Sequence, residues 1–341
     1  MNSPVESWNG QKVMNFVKAP LRISYVGGGT DYPEFFKHNA GAGVIAAAID
    51  QYVYLYAHPL SEVADENLRF TYRETESVQK IEDLKHPVMR EMLRDVKWSS
   101  RTNFGTFADL PSGVGLGGSS TFAVALATLI CNDSILPLDR DALAKLAIRI
   151  ERDVLGEAGG IQDQYVAAFG GFRRYGFESD AISVSENLLD PLSIAYLEER
   201  QLLIWLGTSR DSSSYAEHTR LVINTSRSLL KETVNLLEVT DRAISHSSSP
   251  VESFNAIREA VYLGWDLKKK FTNRPHPIVD EIELKLKEFP QAAMKLCGAG
   301  GTGFLLLLAE PETLKDIKSS MPNYKTIQPK IDHEGSKLLN E

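Results

Sequence analysis

A chain of 341 residues that is 43% hydrophobic and 24% charged has the composition of a globular protein, long enough for two domains. Its formal net charge of −8 argues against a nucleic-acid surface, which needs a basic face to displace counterions. A small anionic substrate stays possible, because a few local cations bind a phosphate inside an acidic protein.

The first residues, "MNSPVESWNG", lack the charged-then-apolar order of a signal peptide, and no apolar run nears the ~20 residues that span a bilayer. A cytoplasmic protein with no membrane and no nucleic-acid partner is expected, as a monomer or a homodimer. "MNFVK", "LRISYV", "GVIAAAI" and "YVYLYA" follow, aromatic and β-branched runs bounded by Gly and Pro that read as strands. Residues 119–131 and 138–155 read as helices. In the second, Leu143, Leu146, Ala147, Ile150 and Val154 fall on one apolar stripe. Glu151 lies at the edge of that stripe, and Arg152 is expected to point the opposite way.

"GFRRYGF" reads as strand, and 190–273 as mainly helical apart from "LLIWLGTS" at 202–209. The tail runs helix "PIVDEIELKLKEF", strand "AAMKLC", a glycine turn, strand "FLLLLA" and helix "PETLKDIKSSM", the order of a separate α+β domain. The break near "SDAISVSENLLDP" divides the chain into 1–188 and 189–341. Cys131 and Cys297, each in an apolar setting, are expected to be free buried thiols.

Glycine concentrates in "PLRISYVGGGTDY" (20–32), "LPSGVGLGGSST" (110–121) and "KLCGAGGTGF" (295–304). Glycine lets another group approach the backbone closely, and a run of it just before a helix suggests an anion at the helix N-terminus. The P-loop pattern GxxxxGK[ST] is absent. "GVGLGG" satisfies GxGxxG, yet the preceding "FADLPS" makes a poor end to the buried strand that a dinucleotide fingerprint requires.

Together the three clusters resemble, in order and spacing, the motifs of the GHMP kinase superfamily, which includes galactokinase, homoserine kinase and mevalonate kinase. One departure is Gly118, which stands where many relatives carry a serine. The resemblance implies an α+β, two-domain fold. Its N-terminal domain would be ribosomal-protein-S5-like α/β, its C-terminal domain ferredoxin-like α+β, with the active site in the cleft between them. It further implies an ATP:sugar phosphotransferase that uses ATP and Mg²⁺. The loop of Pro111, Gly113, Gly115, Leu116, Gly117, Gly118, Ser119 and Ser120 would then bind the ATP phosphates.

By motif, Asp163 in "GGIQDQ" takes the place of the catalytic base of the sugar kinases, and Arg22 in "PLRIS" that of the cation beside it. Glu151 resembles the Mg²⁺-binding glutamate, with Ser119 as its hydroxyl companion and Glu157 as a rival. Gly28, Gly29, Thr30, Asp31 and Tyr32 would meet the sugar, with Gly300 and Gly301 approaching from the C-terminal domain. Read without the resemblance, Asp163 suits a turn or cap, Asp31 the N-cap of "YPEFFKH", and Arg22 a strand start.

Within the superfamily, "APLRISYVGGGTD", "DLPSGVGLGGSST", "GGIQDQYVAAFGGF" and "GTSRDSS" most resemble the bacterial D-glycero-D-manno-heptose 7-phosphate kinases. These phosphorylate the anomeric oxygen, giving heptose 1,7-bisphosphate for nucleotide-activated heptose and surface polysaccharide. "GGGTD" replaces the "GEHTD" of galactokinases, and the lost side chains leave room for a larger acceptor. A phosphorylated sugar needs a cationic pocket for its distal phosphate, for which Arg173, Arg174 and Arg210 are candidates. The alternatives are phosphorylation of fucose or unphosphorylated heptose at C1, a non-catalytic sensor of ATP and sugar, and decarboxylation of a phosphorylated acid.

Overall fold

A computed structural model describes residues 14–131, 139–179, 181–207, 212–223, 225–271 and 276–339. The chain begins with two long strands, β1 (Asn15–Val26) and β2 (Gly43–Pro59), joined through a short helix α1 (Pro33–Phe36). They pair antiparallel from Asn15↔Ala57 to Val26↔Ile45. Four separate sequence runs thus merge into two strands. The register slips at Pro20/Leu21, where β2 carries Asp50 and Gln51 as extra residues. A bulge suits a proline, which has no N–H to give the ladder, and it re-aims the residues that follow, Arg22 among them.

The hairpin β3 (Leu68–Thr71) and β4 (Thr75–Val78), the helix α2 (Pro87–Asp95) and β5 (Thr102–Ala108) come next. Then follow α3 (Gly118–Ile130), α4 (Arg140–Ile148), α5 (Gln162–Phe169), β6 (Phe172–Phe177) and β7 (Ile182–Val184). The first sheet runs β4-β3-β5-β2-β1, and β6 pairs the far half of β2. β2 is buried without interruption from Gly43 to Ile49, as expected of a strand covered on both faces. α3 is likewise buried all round from Thr121 to Ile130.

The second half supplies α6 (Pro191–Glu198), β8 (Gln201–Trp205), α7 (Ser212–Val222), α8 (Arg227–Ser245) and α9 (Pro250–Phe271). It continues with α10 (Pro277–Leu286), β9 (Ala293–Leu296), β10 (Phe304–Leu308), α11 (Pro311–Ser320), β11 (Thr326–Ile327) and β12 (Lys337–Leu338). Its antiparallel sheet is ordered β11-β8-β10-β9. β10 is buried on both faces, and side-chain alternation divides it. Leu306 and Leu308 join the main core, while Leu305 and Leu307 join a second cluster with Trp265, Val279 and Ile282.

The two sheets are tied at several points. The Tyr25 hydroxyl donates to Gln201 Oε1 at 2.6 Å, and β12 returns to pair with β1. Cys131 and Cys297 are free thiols. Among the described residues no helix is long and apolar enough to cross a membrane.

Two local expectations need correction. β5 is a regular strand that ends at Ala108, shortly before the second glycine cluster, so the loop does follow a strand. That strand is antiparallel to β2, unlike the parallel unit of a dinucleotide fold. The expected helix 138–155 stays α-helical only to Ile148, and Arg149–Val154 form a wider π turn. Leu155 N–H there reaches back five residues to the Ile150 carbonyl at 3.0 Å. The widening ends the apolar stripe early and leaves Val154 47% exposed.

Candidate active site

A cleft of about 880 Å³ takes residues from all three glycine clusters and from the π turn. Its first wall is the loop from Pro111 to Ser120 at the N-terminus of α3. The loop is held from both sides. Arg22 N–H donates to the Leu116 carbonyl at 3.0 Å, and Phe304 N–H to the Val114 carbonyl at 3.1 Å. At Gly115, φ is +84° and a Cβ would lie 2.7 Å from the Cys297 carbonyl oxygen. Glycine is therefore required there twice, for its backbone angle and for the approach of the third cluster. At Gly117, φ is +81° and a Cβ would sit 3.1 Å from Asp163 Oδ2. The helix N-terminus behind this loop offers amide N–H groups to an anion.

Asp163 is on the first turn of α5 and faces that loop. Arg22 grips its carboxylate in two parallel bonds, Nε to Oδ1 at 2.7 Å and Nη2 to Oδ2 at 2.8 Å. Arg22 Nη1 also donates to the Gly115 carbonyl at 2.7 Å. One guanidinium thus ties the carboxylate to the loop in a planar fork that a lysine could not reproduce.

Asp31 is 1% exposed. Its side chain caps no helix; Tyr32 occupies the N-cap position of α1 without a side-chain cap bond. Asp31 Oδ1 accepts from Gly29 N–H at 3.1 Å, and Oδ2 accepts from Gln162 Nε2 at 2.9 Å. Burial, and then the charge of Asp163, push the Asp31 carboxyl above its usual range. The Tyr32 hydroxyl pairs with Thr219 of α7, and burial raises its pKa.

Glu151 lies in the π turn, 2% exposed. The hydroxyls of Ser119 and Ser120 donate to its Oε1 at 3.3 and 3.2 Å, and Gln164 Nε2 to its Oε2 at 2.6 Å. Burial foremost, then the Glu157 charge, raise its pKa to about 8. Buried Gln164 Oε1 has no partner. These hard oxygen donors suit a divalent cation that also takes phosphate oxygens and waters. Among the described residues no group of three or more His, Cys, Asp or Glu forms a self-sufficient metal site. Glu157 lines the same cleft without meeting the two serines.

Other expected residues stand differently. Thr30 is fully buried, and its hydroxyl donates to the Gly27 and Gly43 carbonyls, both at 2.8 Å. It braces the first glycine turn and does not line the cleft. Leu116 is buried beneath its loop. In the third cluster Gly298 and Ala299 line the cleft, whereas Gly300 and Gly301 do not; the Gly301 carbonyl accepts from His276 N–H at 3.0 Å. Arg174 is paired with Glu238 and Asp241, and Arg173 is bound to the Gly170 and Ser185 carbonyls. Neither borders the cleft, and Arg210 lies outside the described residues.

Among the described residues, the cations that do line it are Arg22, Arg152, Lys268 and Lys295. A regular helix would turn Arg152 away. In the wider turn successive side chains diverge less, so Glu151 and Arg152 border one cleft, with Arg152 Nη2 on Glu34 Oε1 at 3.0 Å. Gln162 and Gln164 flank Asp163, and their adjacency to it is the only signal of them in the sequence. Lys295 opens the third glycine cluster but carries no signal of its own. An apolar end is formed by Val53, Ala108, Leu110, Phe122 and His86.

A glycine loop at a helix N-terminus, an Arg-held aspartate facing it and a hydroxyl–carboxylate cluster beside it form a cleft suited to phosphoryl transfer. Comparison with known proteins agrees. Residues 85–171 match the GHMP kinases N terminal domain. The chain is 28% identical over 322 residues to D-glycero-alpha-D-manno-heptose 7-phosphate kinase of Campylobacter jejuni, covering 86% of this chain and 89% of that one. A crystal structure of a D-glycero-D-manno-heptose 1-phosphate kinase from Bacteroides thetaiotaomicron superposes with a TM-score of 0.73. It is 22% identical, with 96% of this chain and 99% of that chain covered. Lactococcus lactis galactokinase complexed with galactose gives a TM-score of 0.72 at 14% identity, over 97% and 96%. Residues 85–171 are thus similar to the N-terminal domain of the GHMP kinases, and nearly the whole chain shares the fold of these solved kinase structures.

Proposed function

We propose that this protein is an ATP-dependent kinase of the anomeric hydroxyl of D-glycero-D-manno-heptose 7-phosphate, forming the 1,7-bisphosphate. The observation that carries this reading is the Arg22–Asp163 pair, fixed against the glycine loop at Gly115 and Gly117. The likeness to the Campylobacter jejuni enzyme over most of both chains supports the choice of sugar.

In this reading the loop amides take the phosphates of ATP, and the apolar end near Phe122 takes its base. Asp31, fixed by Gln162, holds sugar hydroxyls near Gly28 and Gly29. Asp163 orients the anomeric hydroxyl and accepts its proton as the oxygen bonds to the γ-phosphorus. The bond from that phosphorus to the β,γ-bridging oxygen breaks, and ADP leaves with its electron pair. Arg22 holds the carboxylate in place and offsets charge on the transferred group. Glu151, Ser119 and Ser120 would hold Mg²⁺, which when bound neutralises phosphate charge. A carboxyl that carries a proton at neutral pH releases it when a cation binds.

ADP release measured over a panel of sugars tests the proposal. Release with heptose 7-phosphate well above that with fucose or unphosphorylated heptose is expected. Release with another sugar alone overturns the substrate, and binding of ATP and sugar without release would make the protein a sensor.

A further inference from the structure

The cleft continues past Gly28, where an added Cβ would meet nothing within 4 Å. A side hollow of about 20 Å³ adjoins it there and shares Gly28, Lys268 and Lys295 with it. The two lysines form a cationic wall that the chemistry above does not use. Lys295 projects from β9 and is 6% exposed; Lys268 projects from α9 and is 9% exposed.

Lys295 Nζ donates to the Ser24 and Tyr25 carbonyls at 2.8 and 3.1 Å. Among the described residues no carboxylate lies within ion-pair distance of it. Lys268 Nζ donates to the Leu296 carbonyl at 2.8 Å and to that of Gly298. For Lys295 the two acceptors are neutral carbonyls, and a buried ammonium held so is costly unless an anion joins it. The neighbours of Lys295 on β9, Met294 and Leu296, show that this strand otherwise takes apolar side chains. The Ser24 hydroxyl on the same wall is also buried without a partner.

We propose that Lys295, with Lys268 beside it, is the subsite for the second phosphate of the substrate, the one at the far end of the sugar from the hydroxyl that Asp163 receives. This rests on the kinase reading above and assigns the cations that reading lacks. Ser24, on whose carbonyl Lys295 sits, is two residues along β1 from Arg22. That is about 7 Å of strand, comparable with the reach across a sugar ring.

The test is equilibrium binding of heptose 7-phosphate and of unphosphorylated heptose to the full chain, with a non-hydrolysable ATP analogue present. The wild type should prefer the phosphorylated sugar. Lys295→Gln should lower that preference by about tenfold or more, as expected when a charge-assisted phosphate contact is lost. Lys268→Gln, which leaves the β9–β1 contact intact, should lower it as well and decides the matter if Lys295→Gln does not fold. A preference kept in both variants overturns the subsite. If the wild type binds neither sugar, the substrate reading fails, and calorimetry with inorganic phosphate decides the subsite separately. Phosphate binding that Lys295→Gln lacks would uphold it, and equal or absent binding would end it.

Discussion

In the proposed reading the two walls of the cleft meet the same demand, neutralising phosphate, with different materials. The wall from Pro111 to Ser120 uses main-chain amides at the start of α3 and no lysine. The facing wall uses Lys268 and Lys295, carried by a helix and a strand of the second half. Amide dipoles do not titrate and cost nothing to ionise, but they demand one backbone path and therefore glycine. Ammonium groups tolerate many backbones, but burial works against their charge. The first wall is accordingly fragile to side chains, and the second to pH and charge.

The largest effect expected on this contrast is at the residue facing the first wall. Asp163→Asn keeps the size but cannot take a proton, so kcat should fall about 10³-fold. ATP affinity, which in this reading the loop supplies, should stay within a few-fold. Unchanged turnover in ADP-release kinetics would remove Asp163 as the base. Next is Gly115→Ala. With φ at +84° and the Cys297 carbonyl 2.7 Å from the new methyl carbon, the loop and the third glycine turn must part. A loss of about 2 kcal/mol in denaturant unfolding is expected, with weaker ATP binding. A variant as stable as wild type would show that the turn does not clamp the loop.

Gly115 and Asp163 lie inside motifs whose spacing is local, so the first wall is legible in the amino-acid sequence alone. The tail strands are legible too, because "FLLLLA", a short apolar run between a glycine turn and a proline, suits a buried strand. The second wall is not. Lys295 and Lys268 are ordinary lysines in ordinary elements, and only tertiary pairing of β9 with β10 and against β1 turns Lys295 inward. Arg152 defeats sequence reasoning for a local reason: a regular helical period does not hold across a π turn, which periodicity does not announce. Arg173 and Arg174 are plausible cations by sequence, but Arg174 is spent on Glu238 and Asp241.

The second wall should respond to pH where the first does not. Burial lowers the Lys295 pKa to about 8 from an ordinary 10.5. Between those values the unfolded chain holds a proton that the folded chain lacks, so stability rises with pH and is smallest below 8. Lys295→Met should remove that rise. The difference between wild type and variant should therefore change by about 2 kcal/mol from pH 8 to 9.5. Parallel stability curves over that window would mean that Lys295 keeps its proton in the folded chain.

The smallest effect separates side chain from main chain within the first wall. Gly118 stands where many relatives carry serine, yet its φ is not positive and an added Cβ would come no nearer than 3.9 Å to Leu21. Space and backbone both admit a serine at this first position of α3. Gly118→Ser should change stability by no more than about 0.5 kcal/mol and leave the KM for ATP within about twofold. If the loop binds through its amides, an extra hydroxyl there adds little, because the nearby serines already offer theirs. A tenfold tighter KM would mean that side-chain hydroxyls, and not the backbone path, set phosphate affinity on this wall.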